Sequence, residues 1–212
     1  MKIYRFKQVP STNDVAKEIA LQGERDFVVV SDEQTKGKGR MGREWKSPPG
    51  GLYFSIVTEK NPHLPLIVGV SVASALKDFG LSPVLKWPND VMIGNKKISG
   101  ILIECLDDFA VVGVGVNISK TPMETATSIK DETGKNVSKD AVLKSILKNF
   151  EKNKKKTVLD EYKKLCSTIG RKVKIKTLNK VIKGKAVDVD EHGKLVLESG
   201  ERIVSGDVIH LR

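Results

Sequence analysis

Apolar positions along this chain switch between two periods, and each switch marks an element. Residues 2–9 alternate as a half-buried strand does, and Ser11 or Thr12 stands where a helix cap belongs, ahead of a segment that ends at Gly23. Residues 27–31 and 52–58 read as strands on either side of a long polar loop. Pro65 opens an apolar helix that stops at Gly80. Further strands are expected at 84–87, 91–93, 97–105 and 109–117, with Gly94-Asn95 and Asp107-Asp108 as hairpin turns between them. The implied sheet is largely antiparallel. Residues 118–137 are mostly polar, and helices are expected at 138–153 and 157–166.

Beyond Gly170 the spacing shortens. Residues 173–175, 181–189, 195–197 and 203–211 alternate in short runs separated by Gly193, Gly200 and Gly206. Roughly forty residues of this kind suggest a small β-barrel, too small to be stable unless it docks on something larger. The expected fold is α+β: a mixed, largely antiparallel sheet with flanking helices over residues 1–168, then a small barrel over 169–212.

The loop between the second and third strands changes the picture. From Asp32 to Trp45 it carries Gly37, Gly39 and Gly42 among Lys36, Lys38, Arg40 and Arg43. Glycine lets backbone approach a ligand closely, and the cations offer charge-assisted donors to phosphate or carboxylate. The glycines satisfy a dinucleotide pattern, but Ser47-Pro-Pro-Gly-Gly follows where a helix must open. A phosphate loop fails as well, because Arg43 and Glu44 stand where a lysine and a metal-binding hydroxyl are needed.

Three other segments join it. Residues 86–90 place Lys86 and Asp90 around Pro88, and residues 96–104 set two lysines at the mouth of an apolar strand. Residues 111–117 carry Gly113 and Gly115 two apart, so one strand face is bare while valines pack on the other. A flat ring could lie against that face.

Composition adds bounds. The 212 residues suffice for a real core. Cys105 and Cys166 show no ligand spacing, fit structural packing and suit a reduced compartment. With no long apolar run and no signal sequence, a soluble cytoplasmic protein with no membrane partner is expected. The net charge of +11 is spread along the chain and suits steering toward an acidic protein substrate as well as nucleic acid.

Taken together, the segments resemble the biotin protein ligases. The glycine-arginine loop is residues 37–43, the tryptophan-proline motif 86–90, the lysine-glycine strand 97–104 and the glycine strand 113–117, with Ser11-Thr12-Asn13 upstream. Lys38 departs from the arginine common in the family, keeping charge but losing fork geometry. The resemblance implies a class II synthetase-like catalytic fold with an SH3-like carboxy-terminal barrel. It implies activation of biotin by ATP and Mg²⁺ as biotinyl-5′-AMP, then transfer to a lysine of a biotin carboxyl carrier domain. No DNA-binding domain precedes Met1, so no DNA partner is expected, and a homodimer is compatible with the resemblance.

Residue roles follow from it. Lys97, Arg40 and Asp90 are the expected catalytic residues. Lys97 would contact the biotin carboxylate and the α-phosphate, while Lys96 points to the opposite strand face. Arg40 would retain the intermediate under a closed loop. Asp90 is the candidate base for the acceptor amine, though it could bind Mg²⁺, hold a lysine or form a turn. Biotin would meet Ser11, Thr12, Asn13, Gln34, Lys38, Gly39, Arg40, Lys97, Gly100, Gly113 and Gly115. Ser11 and Thr12 could equally cap the helix. ATP and the adenylate would meet Arg40, Arg43, Trp45, Lys97 and Asn117, with Trp45 stacking on adenine or pinning the loop. Two readings compete: a lipoate-type ligase, and a basic nucleic-acid-binding module, against which three Tyr and six Phe without an aromatic-interleaved basic strand count.

Overall fold

The computed structural model describes residues 1–119, 121, 123–177 and 179–211. Seven strands form the larger sheet in the order β1-β2-β3-β7-β6-β5-β4. They are β1 Lys2–Val9, β2 Phe27–Gln34, β3 Leu52–Thr58, β4 Val84–Lys86, β5 Asp90–Ile93, β6 Lys96–Cys105 and β7 Ala110–Val116. Only β1 and β2 run parallel, because helix α1 (Thr12–Leu21) carries the chain back between them; every other neighbour is antiparallel.

Alternation assigns the two faces. Val28 and Val30, Leu52, Phe54 and Ile56, and Val112, Val114 and Val116 enter the main core. Helix α2 (Leu64–Asp78) covers this side and is itself packed by α4 (Lys139–Asn153) and α5 (Leu159–Leu165). Sandwiched this way, α2 is apolar nearly all round, and each of its large side chains contributes about 1.5–3 kcal/mol by burial. The opposite face is apolar only under α1, where Phe27, Val29, Val57 and Val111 pack. Further along the same face the residues become Ser31, Ser55, Gly113 and Gly115, too small or polar to fill a core. A hollow is left there.

The second sheet is antiparallel throughout, in the order β11-β10-β9-β8-β12. Its strands are β8 Lys172–Lys176, β9 Val181–Val189, β10 Leu195–Leu197, β11 Arg202–Ile203 and β12 Asp207–His210. The run expected as one strand over 203–211 is broken near Gly206, so that β11 pairs with β10 and β12 with β8. A Cβ at Gly206 would lie 2.6 Å from Ile175 Cγ2, so a side chain there would force β12 off its partner. Apolar residues of this sheet, among them Val173, Ile175, Leu195 and Val208, belong to the same cluster as the main core.

Two further differences have local causes. Helix α3 (Ile129–Thr133) interrupts the polar stretch; Ser128 Oγ accepts the Asp131 N–H at 3.0 Å, and Gly134 ends the helix at φ 70°. Cys166 is buried and its thiol pKa is raised by that burial, whereas Cys105 is exposed, so packing describes one cysteine and not the other.

Candidate active site

The hollow is a cavity of about 430 Å³. Its floor is the small-residue end of the sheet; its walls are the start of α1, the turn from Trp87 to Asp90, the glycine loop and Gly206 to Ile209 of the second sheet. Ser11, Thr12, Asn13, Gln34 and Lys38 line it together with Gly39, Arg40, Arg43 and Trp45. Asp90, Lys97, Gly100, Gly113 and Gly115 complete the set. Of the residues expected from sequence only Asn117 lies elsewhere: it lines a neighbouring cavity of about 490 Å³, and its Nδ2 donates to Thr127 O at 3.0 Å. Gln34, Glu44, Trp45 and Lys97 border both cavities.

At one end the cavity is polar and lined by buried side chains. Ser11 occupies the N-cap position of α1 but its side chain makes no capping bond, and Ser11, Thr12 and Asn13 are all buried. Thr12 N–H donates to Gln34 Oε1 at 2.8 Å, and Asn13 Nδ2 donates to Glu104 Oε2 at 2.7 Å, which fixes both carboxamide orientations. Between the two acceptor oxygens lie Thr12 Oγ1, 3.0 Å from Gln34 Oε1, and Ser55 Oγ, 2.7 Å from Thr12 and 2.6 Å from Asn13 Oδ1. Three oxygen–oxygen contacts therefore share two hydroxyl protons. A ligand N–H relieves that shortage. Lys17 Nζ, 2.5 Å from Glu104 Oε1, holds the carboxylate in place.

At the other end a slip in the ladder decides the geometry. Met92 pairs with Lys97 but Val91 with Ser99, so Ile98 is an extra residue in β6. Without it, Lys97 and Gly100 would face opposite sides of the sheet; with it, both face the cavity. Lys97 Nζ lies 2.6 Å from Asp90 Oδ1 and 5.1 Å from the Trp45 ring centre. Asp90, considered as a base or metal ligand, here holds a lysine, the third of its expected roles. The bare glycine face does receive a flat ring, but it is the protein's own indole: a Cβ at Gly115 would fall 2.4 Å from Trp45 Nε1, and one at Gly100 2.8 Å from Cζ3. That buried Nε1 has no acceptor among the described residues, an unmet donor that costs ~1–3 kcal/mol.

The loop cations converge from above. Arg40 Nη1 donates to Asn89 Oδ1 at 3.1 Å and reaches Gly206 O at 3.4 Å. Burial lowers its pKa and the Asp207 and Asp90 charges oppose that, with Arg43 adding to the lowering; the guanidinium stays charged. Arg43 is bonded to Asp207, which raises its pKa. Lys38 turns to the rim, 2.6 Å from Asp14. Ser55, Asn89, Glu104, Asp14 and Asp207 had no role assigned from sequence. Glu104 closes the lysine-glycine motif and so carried a signal; Asp207 sits in a separate unit and carried none.

A polar, hydrogen-bonding end that opens on cations, beside a second cavity sharing Lys97 and Trp45, gives an α+β fold with adjoining sites for small molecules, one of them suited to anions. The chain belongs to the biotin/lipoate A/B protein ligase family, which it matches over residues 5–118, and residues 168–211 match the biotin protein ligase C terminal domain. It is 31% identical to the bifunctional ligase/repressor BirA of Bacillus subtilis, over 93% of this chain and 70% of that protein. It is also 31% identical to the biotin–[acetyl-CoA-carboxylase] ligase of Mycobacterium tuberculosis, over 97% and 87%. The solved biotin protein ligase of Aquifex aeolicus in complex with biotin and ATP superposes with a TM-score of 0.87 at 34% identity, covering 100% of this chain and 99% of that one.

Proposed function

We propose that the protein is an ATP-dependent biotin protein ligase. It joins biotin to ATP as biotinyl-5′-AMP, releasing pyrophosphate, and passes the biotinyl group to a lysine of a biotin carboxyl carrier domain. The observation that carries this reading is that Lys97 and Arg40 line one cavity with the proton-short Gln34–Thr12–Ser55–Asn13 network. A ureido group supplies both N–H donors and a carbonyl acceptor to such a network, and its carboxylate tail then points to Lys97.

In the first step a biotin carboxylate oxygen forms a bond to the α-phosphorus while the bond to pyrophosphate breaks. Like charges about 4 Å apart repel by about 4 kcal/mol at an effective dielectric of about 20, so fixed cations make the approach feasible. Lys97, shared by both cavities, sits where the two anions meet; Arg40 and Arg43 take the phosphates; Asn117 and Trp45 face adenine in the second cavity. Asp90 orients Lys97. Mg²⁺ would come bound to ATP and would offset phosphate charge: among the described residues no group of three His, Cys, Asp or Glu could hold a metal alone, and the Asp90 oxygen that Lys97 does not engage would be the one carboxylate near it. In the second step the carrier lysine nitrogen attacks the acyl carbon, AMP leaves and the amine loses its proton.

The proposed unit boundary is 168/169; it is supported by the Ser167 N–H, which bonds Leu85 O of the larger sheet at 2.8 Å, and the Gly170 N–H, which bonds Ala186 O of the smaller one at 2.8 Å. No helix among the described residues is long and apolar enough to cross a membrane, and the cytoplasm is the proposed site of action. The reading is tested by offering the purified chain Mg-ATP with biotin or with lipoate. Pyrophosphate release should require biotin; release driven equally well by lipoate would move the protein to the other branch of its family.

A further inference from the structure

The glycine loop is a flap with its own short ladder. Gly39 N–H donates to Arg43 O at 2.7 Å, Trp45 N–H donates to Gly37 O at 2.8 Å, and Gln34 N–H donates to Ser47 O at 3.2 Å at the base. The tip is a single 3₁₀ turn, Arg40–Gly42, with Met41 exposed at φ 55°. Such a flap can swing about its base unless its sides are held. On one side Lys38 Nζ lies 2.6 Å from Asp14 on α1, a carboxylate that Lys17 also approaches at 3.8 Å. On the other side Arg43 bonds Asp207, the first residue of β12. The flap is thus gripped from two elements that share no strand with it.

We infer that Asp14 and Asp207 are a pair of positioning residues that hold the flap over the cavity, from α1 and from the carboxy-terminal sheet, and so set how long the acyl-adenylate stays bound. The inference rests on the ligase reading and concerns retention, not chemistry. Both pairs are partly solvated, so each holds the flap weakly and in a salt-dependent way, whereas two together restrain both edges. A mixed anhydride released early is lost to water or stray amines, so the grip bears directly on fidelity.

The test forms labelled biotinyl-AMP on the enzyme and follows its escape in a chase, alongside pyrophosphate exchange. Asp14→Asn and Asp207→Asn should each speed escape by roughly two- to fivefold at low ionic strength, with exchange KM for ATP and biotin nearly unchanged in Asp14→Asn, whose carboxylate lies outside the cavity lining. Asp14→Glu and Asp207→Glu should restore retention, and wild type at about 1 M salt, where the Debye length is about 3 Å, should approach the Asn variants. Asp188→Asn breaks a different contact between the units, Lys163–Asp188 at 2.8 Å, and should leave escape as in wild type. Unchanged escape in both Asn variants, equal escape from Asp188→Asn, or a lowered KM for ATP as the sole effect of Asp207→Asn would overturn the inference. Arg40→Gly separates the layers: if it leaks while the Asn variants retain, the clamp alone is wrong; if it too retains, the closing flap is wrong with it.

Discussion

Lys96 and Lys97 are chemically identical neighbours, yet one is exposed and the other reaches an aspartate, an indole and two cavities. Strand alternation puts them on opposite faces, which was legible in the sequence, but the bulge at Ile98 decides which of them shares a face with Gly100, and that was not. Lys97→Ala should lower biotin-dependent pyrophosphate exchange by about 10²–10³, the usual effect of removing one preorganised charge stabiliser, while Lys96→Ala stays near wild type. Equal losses in the two variants would remove Lys97 from the centre. Asp90→Asn in the same assay should follow Lys97→Ala in direction with a smaller loss, since it frees the ammonium without deleting it. What composition could not resolve was Trp45: only coordinates show an indole that both pins the flap and covers the glycine floor.

Among elements, the glycine strand was readable because period two leaves one face without side chains, and the coordinates explain the need. A Cβ at Gly113 would stand 2.3 Å from Asn13 Oδ1, a group already fixed by Ser55 and Glu104. Gly113→Ala should therefore raise KM for biotin by roughly tenfold or more and cost about 1–3 kcal/mol of stability, because the displaced carboxamide leaves its partners. Unaltered biotin saturation would show that Asn13 does not shape the pocket. The bulge at Ile98 was not readable, since one extra residue in an apolar strand leaves no mark on composition; only pairing partners expose it. Helix α3 did leave a mark, Ser128 three residues ahead of Asp131 and Gly134 beyond, but five residues are too few for a hydrophobic period.

At the scale of the whole molecule, a change of spacing near Gly170 sufficed to announce a second unit, but not which of its edges meets the first. Besides the shared apolar cluster, contact is made through polar atoms that propensity does not encode: Trp87 Nε1 donates to Gly193 O at 2.8 Å, His63 Nδ1 lies 2.7 Å from Glu191 O, and His210 Nε2 lies 3.1 Å from Thr168 Oγ1. Burial lowers the His210 pKa, with the Lys86 and Arg171 charges adding to it. Protonation is then easier in the unfolded chain, where histidine titrates at about 6.5, so this residue's contribution is intact above that pH and is lost as pH falls toward the depressed folded value. Wild type should lose more Tm between about pH 7 and about pH 5.5 than His210→Gln, whose amide keeps a polar partner for Thr168 without binding a proton. Parallel Tm profiles would exclude His210 as the source.

The single apolar cluster that runs through both sheets has a consequence for ancestry as well as for folding. Because Gly193 roofs Trp87 and Gly206 supplies a carbonyl to Arg40, the terminal unit is a wall of the reaction chamber and not a passenger. A lineage that discarded it would have to re-clothe a hydrophobic surface and re-anchor a guanidinium at the same moment, two unrelated repairs that no single substitution provides.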